Sequence, residues 1–265
     1  GRTPNPCVRC NSLVKWDAFI EQADKLGAEF IATGHYAQVE SIDGNSVLMK
    51  GKDSHKDQSY VLWGIPSNTL KRTIFPLGNL TKKEVRKIAK ENNFETADIP
   101  ESMEICFVAD NNYKRFLREY SPNEMSKIGK GEIIDDKGEV LGEHSGYTNY
   151  TIGQRKGLGL SNPEPRYVSK IDPVKNQIKI GKKSSLTKNK CNIADLNWLV
   201  NQVDFPCKIQ AQIRYNSKPV EALIKEDNNN ISIHFNEPQL AVTPGQSVVF
   251  YRENIVLGGG IIGSS

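Results

Sequence analysis

The stretch SLVKWDAFIEQADKLGAEFIATGH, residues 12–35, decides the fold class of this chain. Its first half has apolar side chains at the spacing of an amphipathic helix, which predicts a helix over residues 12–26. Asn11 or Ser12 is the expected N-cap, and Gly27 follows the last turn. The apolar positions of this helix are Leu13, Trp16, Ile20 and Ala23.

The second half of the stretch predicts a buried strand over residues 29–33, followed by Gly34 and His35. A helix that leads into a buried strand ending in glycine and a polar residue is typical of an open α/β sheet. Ligands of such sheets collect at the carboxyl ends of the strands. The stretch therefore indicates the end of a doubly wound α/β domain.

Upstream lies a proline-rich arm with two thiols, GRTPNPCVRCN, residues 1–11. Pro4 and Pro6 fix their own backbone angles and favour extended conformations at the preceding residues, so we expect a stiff, non-helical arm. Cys7 and Cys10 have C-x-x-C spacing, which suits a metal knuckle, a disulfide exchanger or a nucleophile with a neighbour. Two idle cysteines explain that spacing equally well when it is taken alone.

Downstream, turn and capping signals divide the chain. The turn Asp43, Gly44, Asn45 lies between two strand-like runs and predicts a hairpin. Thr81 and Glu84 have the spacing of a capping box. The elements expected here are hairpin strands over residues 36–42 and 47–50, a helix from the capping box to residue 92, and a helix over residues 112–120.

After Ser121 and Pro122 the sequence changes character. Residues 153–160, GQRKGLGL, form a loop rich in glycine and positive charge. From about Tyr167 onward, short alternating strands with frequent turns predict a small β-barrel or sandwich. The fold class is therefore α/β plus β. Its predicted parts are an α/β part over residues 1–110, a small central part over residues 111–165 and an antiparallel β-barrel over residues 166–265.

Composition describes an ordinary soluble chain. Of its 265 residues, 37% are apolar and 25% are charged. No apolar run approaches the length that crosses a bilayer, and the N-terminus has no signal-peptide pattern, so we expect a cytoplasmic protein. The 5 cysteines are odd in number and scattered, which argues against a secreted disulfide framework and favours catalytic or redox roles.

The formal net charge is only +4, but the basic residues are clustered. Clusters of this kind attract polyanions because neutralised phosphates release counterions. A single run of lysines more often forms a solvated charged surface without a polyanionic partner. The two clusters are Lys71, Arg72, Lys82, Lys83, Arg86, Lys87 and Lys90, and Lys175, Lys179, Lys182, Lys183, Lys188 and Lys190.

The remaining thiols do not complete a metal site in the sequence. A structural zinc ion needs about four ligands in close pairs, and only Cys7 and Cys10 form a pair, so no structural metal is predicted. Cys191 and Cys207 lie in predicted strands, and the simplest interpretation is that they are buried core residues. Cys106 follows an acidic stretch. It could combine with Cys10 to pass a sulfur or close a transient disulfide, although a buried, unreactive thiol is the more common outcome for such a residue alone.

Polar residues after the predicted strand are weaker candidates. Gly34 and His35 could contact a nucleotide or hold a catalytic imidazole, whereas a lone histidine is more often a satisfied polar group. Lys56, Asp57 and Gln58 supply the side-chain types that contact phosphates and base edges, as many surface loops do.

Taken together, the motifs resemble those of the tRNA-specific 2-thiouridylase family, in family order along nearly the whole chain. The resemblance implies an adenine-nucleotide alpha-hydrolase-like first domain, of which residues 1–110 form the C-terminal part. The barrel resembles those of translation factors. The motifs are the arm itself, ATGHY at 32–36, KDQSY at 56–60, FPLG at 75–78, EICF at 104–107, YTIGQRKGLG at 150–159, QIRY at 212–215, AVTPGQ at 241–246 and GGGII at 258–262.

This family replaces the oxygen at carbon 2 of the wobble uridine of tRNA with sulfur. The resemblance implies ATP, with Mg in the complete enzyme, as the activating cofactor, a sulfur-carrier protein as donor, and a monomer. It implies Cys106 as persulfide carrier, Cys10 as the thiol that releases the sulfur and forms a disulfide with Cys106, and Gly34 as an ATP contact. The implied base and tRNA contacts are Asn5, Pro6, Cys7, His35, Lys56, Asp57, Gln58, Arg214, Tyr215 and Gln246. A uridine would have to flip out of the anticodon loop to reach such a site.

Two departures from the family pattern matter. Some members have Asp at the position of Cys7, where a carboxylate can act as a base, so the role of this third thiol is open. The family's pyrophosphate loop is absent from these residues, and we expect the chain alone neither to bind ATP tightly nor to thiolate tRNA. Calorimetric titration with ATP tests this expectation. A non-catalytic module that binds structured RNA is the alternative, and a C-x-x-C redox or zinc protein is a weaker one.

Overall fold

The structure is a computed structural model that describes residues 1–99, 105–108, 110, 112–160, 164–201, 203–228 and 230–263. Part of the EICF motif, at residue 104, and the acidic stretch before it therefore lie outside the described residues, whereas Cys106 is described. Among the described residues, no helix has the length and apolar character needed to cross a membrane.

The cysteine-bearing arm is helical from Pro6 onward. Three consecutive segments form one helix, here called the cysteine helix: α-helical Pro6–Arg9, π-helical Cys10–Ala18 and α-helical Phe19–Lys25. The predicted non-helical arm and the predicted helix start at residue 12 are thus wrong for residues 6–11. The physical reason is that proline is well tolerated at the first helical position, where its missing N–H is not needed.

Asn5 explains why this helix begins where it does. Its backbone is extended, and its side-chain oxygen accepts a hydrogen bond from the Cys7 N–H at 3.1 Å. Asparagine is among the best N-caps because it satisfies one of the unpaired amides of the first turn. Cys7 and Cys10 therefore lie one turn apart on the same helix.

Behind the cysteine helix lies a small parallel sheet. Strand β1 (Ile31–Ala32) pairs with a later strand, Thr73–Ile74, in parallel register. The predicted strand over residues 29–33 is therefore present in a shorter form. The capping box is confirmed, since Thr81 and Glu84 bond reciprocally at the start of the helix Lys82–Glu91. A further predicted helix is present as Tyr113–Tyr120, capped by Asn112.

The predicted hairpin is confirmed, with an unexpected partner. Strands β2 (Ala37–Ile42) and β3 (Asn45–Lys50) are antiparallel, and β3 pairs with the last strand of the chain through Met49 and Ile255. We number the parallel partner of β1, Thr73–Ile74, as β4. The hairpin therefore continues the sheet of the C-terminal domain, although it lies in the first part of the sequence.

The central part is a four-stranded sheet that extends further than the sequence indicated. Its strands are β5 (Gly131–Ile134), β6 (Val140–His144), β7 (Tyr167–Asp172) and β8 (Gln177–Gly181), in the order β6-β5-β8-β7. The sequence assigned residues 167–181 to the barrel. Alternation alone cannot tell which sheet a strand joins. We therefore place this boundary near residue 182 instead of residue 165.

The C-terminal barrel is closed and antiparallel. Six described strands follow each other in the order β13-β10-β11-β12-β9-β14, and β14 returns to pair with β13. Closure leaves no exposed sheet edge in this ring. The strands are β9 (Thr187–Trp198), β10 (Cys207–Gln212), β11 (Val220–Asp227), β12 (Asn230–Leu240), β13 (Ser247–Arg252) and β14 (Ile255–Ile262).

The first and last parts of the chain share a hydrophobic core. Trp16 of the cysteine helix and Tyr60 are buried in one cluster with Val249, Tyr251 and Val256 of the barrel. Burial of large side chains of this kind is the main favourable term in folding. The helix that carries the cysteines is therefore packed into the same core as the barrel strands.

Candidate active site and RNA-binding residues

Three free thiols belong to the candidate site. Cys106 and Cys10 both act electrostatically on the Cys7 thiol and raise its pKa. Cys7 and Cys106 are exposed and Cys10 is half-buried, and all three are free thiols. The site thus combines two thiols from one helical turn with one from a segment nearly a hundred residues away.

The Cys7 thiol is held in its neutral form by its surroundings. Desolvation by neighbouring protein atoms raises its pKa, and the thiolates of Cys106 and Cys10 raise this pKa further. The ammonium group of Lys15 acts in the opposite direction. The net effect is a raised pKa, so ionisation of Cys7 is opposed in spite of Lys15.

Gly34 and His35 follow β1, at the carboxyl end of the parallel pair. Gly34 is exposed, and a Cβ added there would have Leu77 Cδ1 as its nearest neighbour, at 3.7 Å, so the backbone is open to solvent. The imidazole of His35 is buried instead, with only 8% of the residue exposed. Its Nδ1 lies 2.8 Å from Thr33 Oγ1, and its Nε2 lies 3.3 Å from Lys15 Nζ.

Asp57 and Gln58 use their side chains inside the protein. The Asp57 carboxylate accepts hydrogen bonds from Gly51 N at 2.9 Å, from Ser59 N at 3.1 Å and from Ser59 Oγ at 2.8 Å. Gln58 Oε1 accepts from Tyr36 N at 3.0 Å. Lys56 is half-buried, and its backbone N–H donates to Asp53 O. These bonds fix the KDQSY loop against the hairpin, so its contact with tRNA remains a prediction.

Arg214 and Tyr215 lie on the barrel loop that faces this region. The Arg214 guanidinium donates to Ala241 O at 2.6 Å, and Gln212 Nε2 bonds the carbonyls of Arg214 and Tyr215. Tyr215 is 44% exposed, and its ring meets Tyr60 edge-on at 6.0 Å. The tyrosine is therefore the more accessible of the two side chains.

A polar cleft of about 680 Å³ lies between the loop after β3 and this barrel loop. Asp57, Tyr60 and Tyr215 line it, so the structure gathers residues that are far apart in sequence at one surface. The basic side chains in its lining are Lys50, Lys52 and Lys218. Such a lining suits an anionic backbone.

Gln246 binds the N-terminal arm. Its Nε2 donates to Thr3 O at 2.8 Å, and Thr3 N donates to Pro244 O at 2.9 Å. The turn that contains both barrel residues therefore holds the segment just before Asn5 and Pro6. In this structure the Gln246 amide is occupied by the arm, and its predicted tRNA contact is not tested.

The two barrel cysteines differ from the site thiols. Cys191 and Cys207 are buried, as expected of core residues. Burial raises the pKa of Cys191 to about 12, so this thiol is unreactive near neutral pH. Within the described residues, no group of three or more His, Cys, Asp or Glu side chains is arranged to hold a metal ion.

Sequence reasoning missed two residues that matter to the site. Lys15 was overlooked because only the apolar face of the helix was considered, although it lies five residues after Cys10. Thr3 was overlooked because its bonds to the barrel are made by its backbone, for which no sequence signal exists. Both lie within the span that the sequence identified as central.

Comparison with family models divides the chain into the same three parts. Residues 1–110 match a model described as tRNA methyl transferase HUP domain, and residues 114–182 match a tRNA methyl transferase PRC-barrel domain. Residues 188–262 match an aminomethyltransferase beta-barrel domain. The second match ends where the central sheet ends in the structure.

Curated relatives cover nearly the whole chain. It is 46% identical over 264 residues to the tRNA-specific 2-thiouridylase MnmA of Chlorobium phaeobacteroides strain BS1, a match that covers 99% of this chain and 74% of the relative. It is 47% identical over 266 residues to the protein of that name from Carboxydothermus hydrogenoformans, covering 99% and 72%. The match to the Halothermothrix orenii protein is 47% over 265 residues, covering 98% and 73%. These relatives do not favour a non-catalytic RNA-binding module, and the chain belongs to the tRNA-specific 2-thiouridylase family.

Proposed function

We propose that this protein transfers sulfur to carbon 2 of the wobble uridine of tRNA in an ATP-dependent reaction. The observation that carries the proposal is that Cys10 and Cys106 are free thiols, half-buried and exposed respectively, in a chain of the tRNA-specific 2-thiouridylase family. Sulfur transfer between proteins and bases needs one thiol to carry the sulfur and a second to release it by exchange. Thiols from distant parts of the chain supply both.

In this proposal Cys106 carries the sulfur as a persulfide, and its terminal sulfur attacks carbon 2. The Cys10 thiolate then attacks the Cys106 sulfur and breaks the sulfur–sulfur bond, so the transferred sulfur stays on the base. The two cysteines end as a disulfide, which a reductant must reopen before the next cycle. The exposed position of Cys106 suits loading by a sulfur-carrier protein.

ATP, when bound, supplies the activation that makes the oxygen at carbon 2 a leaving group. The exposed backbone of Gly34, at the carboxyl end of β1, is the described feature that fits an adenine nucleotide, because no protein atom crowds the space beside it. Gly34 would then hold the nucleotide close to the cysteine helix.

The tRNA would lie across the cleft between the KDQSY loop and the barrel. Tyr215 has the exposed aromatic face that a base or sugar can contact, and Lys50, Lys52 and Lys218 add positive charge to the lining of the same cleft. Asn5, Pro6 and Cys7 would receive the flipped uridine at the start of the cysteine helix.

We propose that the protein works as a cytoplasmic monomer.

Substitution of single cysteines in the chromosomal gene tests the catalytic assignment. We expect Cys10→Ser and Cys106→Ser each to abolish 2-thiouridine in tRNA digests analysed by mass spectrometry. Cys191→Ala and Cys207→Ala are the matched controls and should retain it, because these thiols are buried in the barrel. Retention of the modified base in either site variant rules out the assigned roles.

A further inference from the structure

The glycine-rich basic loop of the central part, residues 153–160, lies against the barrel beside Arg214. A Cβ added at Gly153, whose φ is +88°, would lie 2.9 Å from Ala241 Cβ and 3.5 Å from Arg214 Nη2. The Arg214 guanidinium in turn donates to Ala241 O at 2.6 Å. A glycine is needed at this position, because the backbone approaches the barrel too closely for a side chain. The loop therefore meets the barrel at an arginine whose motif predicts a tRNA contact.

Hydrogen bonds of Gln154 fix the backbone of this loop. Its Oε1 accepts from Thr151 N at 3.1 Å, and its Nε2 donates to Lys156 O at 3.0 Å. Its backbone oxygen accepts from Val168 N at 3.0 Å. Further along the loop, Leu158 is buried in the core of the central part. The backbone is therefore anchored on both sides of the two basic residues of the loop.

Those two residues, Arg155 and Lys156, point their charges away from any acidic partner. Both are exposed, and neither makes an ion pair among the residues that the structure describes. The Cα of Arg155 lies within about 7 Å of the Cα of Gly153, because only two residues separate them. The loop thus adds two unpaired cations close to Arg214. Like charges held near each other repel, and a bound anion offsets that repulsion.

The shape of the loop and its surroundings favour a phosphate backbone as this anion. Gly157 and Gly159 are exposed, and a Cβ added at Gly159 would meet nothing within 4 Å, so a phosphate can approach the main chain. Arginine binds phosphate through paired N–H donors. The barrel loop that carries Arg214 also lines the cleft proposed for tRNA, through Tyr215 and Lys218. The basic loop is therefore continuous with that cleft.

We propose that Arg155 and Lys156 bind the phosphate backbone of tRNA beside Arg214, and that Gln154 positions them. This inference rests on the function proposed above, since it takes tRNA as the partner. It extends the path of the tRNA from the cleft onto the central part of the chain. Phosphate contacts fix orientation but carry no sequence information directly, so the loop orients the tRNA and does not select the wobble base.

The salt dependence of tRNA binding tests the proposal. The probe is a fluorescent, unmodified tRNA transcript with uridine at the wobble position. Fluorescence anisotropy gives its Kd for the purified protein between about 50 and 200 mM KCl. Each lost phosphate contact reduces the slope of log K against log salt by about 0.9. We expect the double variant Arg155→Gln/Lys156→Gln to reduce the slope by about 1.8 and to weaken binding roughly 10- to 50-fold at about 0.15 M salt.

The double variant Lys127→Gln/Lys137→Gln is the matched control, because it removes two exposed charges elsewhere in the central part. It should change the Kd by less than about twofold. Wild-type affinity and slope in Arg155→Gln/Lys156→Gln overturn the proposal and make an acidic protein the better occupant of the loop. Equal losses in the two double variants also overturn it, since the effect is then one of net charge.

Two further results separate this proposal from the proposed function. If the wild-type protein does not bind the transcript at all, both fail. If it binds and the loop variant binds equally well, only the proposal about the loop fails. The loss should also be the same for a transcript with cytidine at the wobble position. A loss confined to the uridine transcript would mean that the loop reads the base, and would overturn the phosphate assignment.

Gln154→Leu tests the positioning role, since it keeps both charges and removes the side-chain bonds to Thr151 and Lys156. We expect the wild-type salt slope and an affinity lower by about two- to fivefold, because a loosened loop must be ordered on binding. Wild-type affinity in this variant would show that Gln154 does not position the basic residues. A reduced slope would contradict the separation of charge from position.

Discussion

The side chains of His35 and Asp57 make their contacts within the protein in this structure. His35 and Asp57 were expected at the RNA surface from their motifs, yet the imidazole packs against Trp16 and Phe75 and the carboxylate bonds Gly51 and Ser59. A motif tells which side chains occur together but not which way each one points. Their predicted tRNA contacts remain untested, and both residues have structural partners in the free protein.

The buried imidazole predicts a pH-dependent loss of stability. The pKa of His35 is about 4 in the folded protein and about 6.5 in the unfolded chain. The unfolded state therefore binds more protons between these values, so stability falls as pH drops from about 6.5 towards 4. At pH 5 this group alone costs about 2 kcal/mol relative to pH 7.

Urea unfolding of wild type and His35→Leu at pH 7 and pH 5 measures this contribution. Other groups also titrate in that range, but they are common to both proteins and cancel in the difference. We expect the drop in unfolding free energy between the two pH values to be about 2 kcal/mol smaller in His35→Leu. Identical drops would show that His35 does not titrate abnormally.

For the cysteine helix, the sequence predicted the presence of a helix but not the residue at which it begins. The apolar spacing predicted a helix with a buried face. Trp16 and Ala23 are buried and Ile20 is partly buried, whereas Leu13, predicted on the same face, is 51% exposed. Its start was misplaced because Asn11 is also a good cap residue, and two prolines in the arm favoured an extended chain. Pro6 is compatible with both conformations, and the Asn5 bond to the Cys7 amide favours the helical one.

Loss of this cap should loosen the turn that carries the thiols. We expect Asn5→Ala to lower the unfolding free energy by about 1 kcal/mol, because the Cys7 N–H loses its acceptor. Hydrogen exchange should become faster at the amides of Cys7 and Val8. Asn5→Ser keeps a capping oxygen and serves as the matched variant, with a smaller change in both measurements. Equal effects of alanine and serine would contradict a capping role.

At the scale of the whole molecule, the sequence predicted the barrel but not how it closes. Alternating strands identify a β-domain, whereas the pairing of β13 with β14 and of Met49 with Ile255 depends on contacts between distant segments. The site has the same limit. Its two cysteines on the cysteine helix are visible as a motif, but the electrostatic effect of Cys106 on Cys7 and the attachment of Thr3 to the barrel exist only in the folded chain.

That attachment links the barrel to the thiols through a tight turn. Gly245 has a φ of +91°, and a Cβ added there would lie 2.9 Å from Thr3 N and 3.0 Å from Thr3 O. Gly138 has the same φ of +91°, but a Cβ added there meets nothing within 4 Å. The two glycines therefore have the same φ, but only Gly245 lies against the backbone of the N-terminal arm. Anything that moves this turn should move the start of the cysteine helix.

Alanine at each glycine isolates the contact with the arm. Both variants carry the backbone penalty of about 1 kcal/mol for a side chain at positive φ. Gly245→Ala should cost a further 1 to 3 kcal/mol, roughly, because the Thr3 backbone cannot give way without losing its bond to Pro244. Urea unfolding measures the two costs, and hydrogen exchange at the Thr3 amide should accelerate only in Gly245→Ala. Equal costs and an unchanged Thr3 amide would mean that the barrel does not hold the arm in solution.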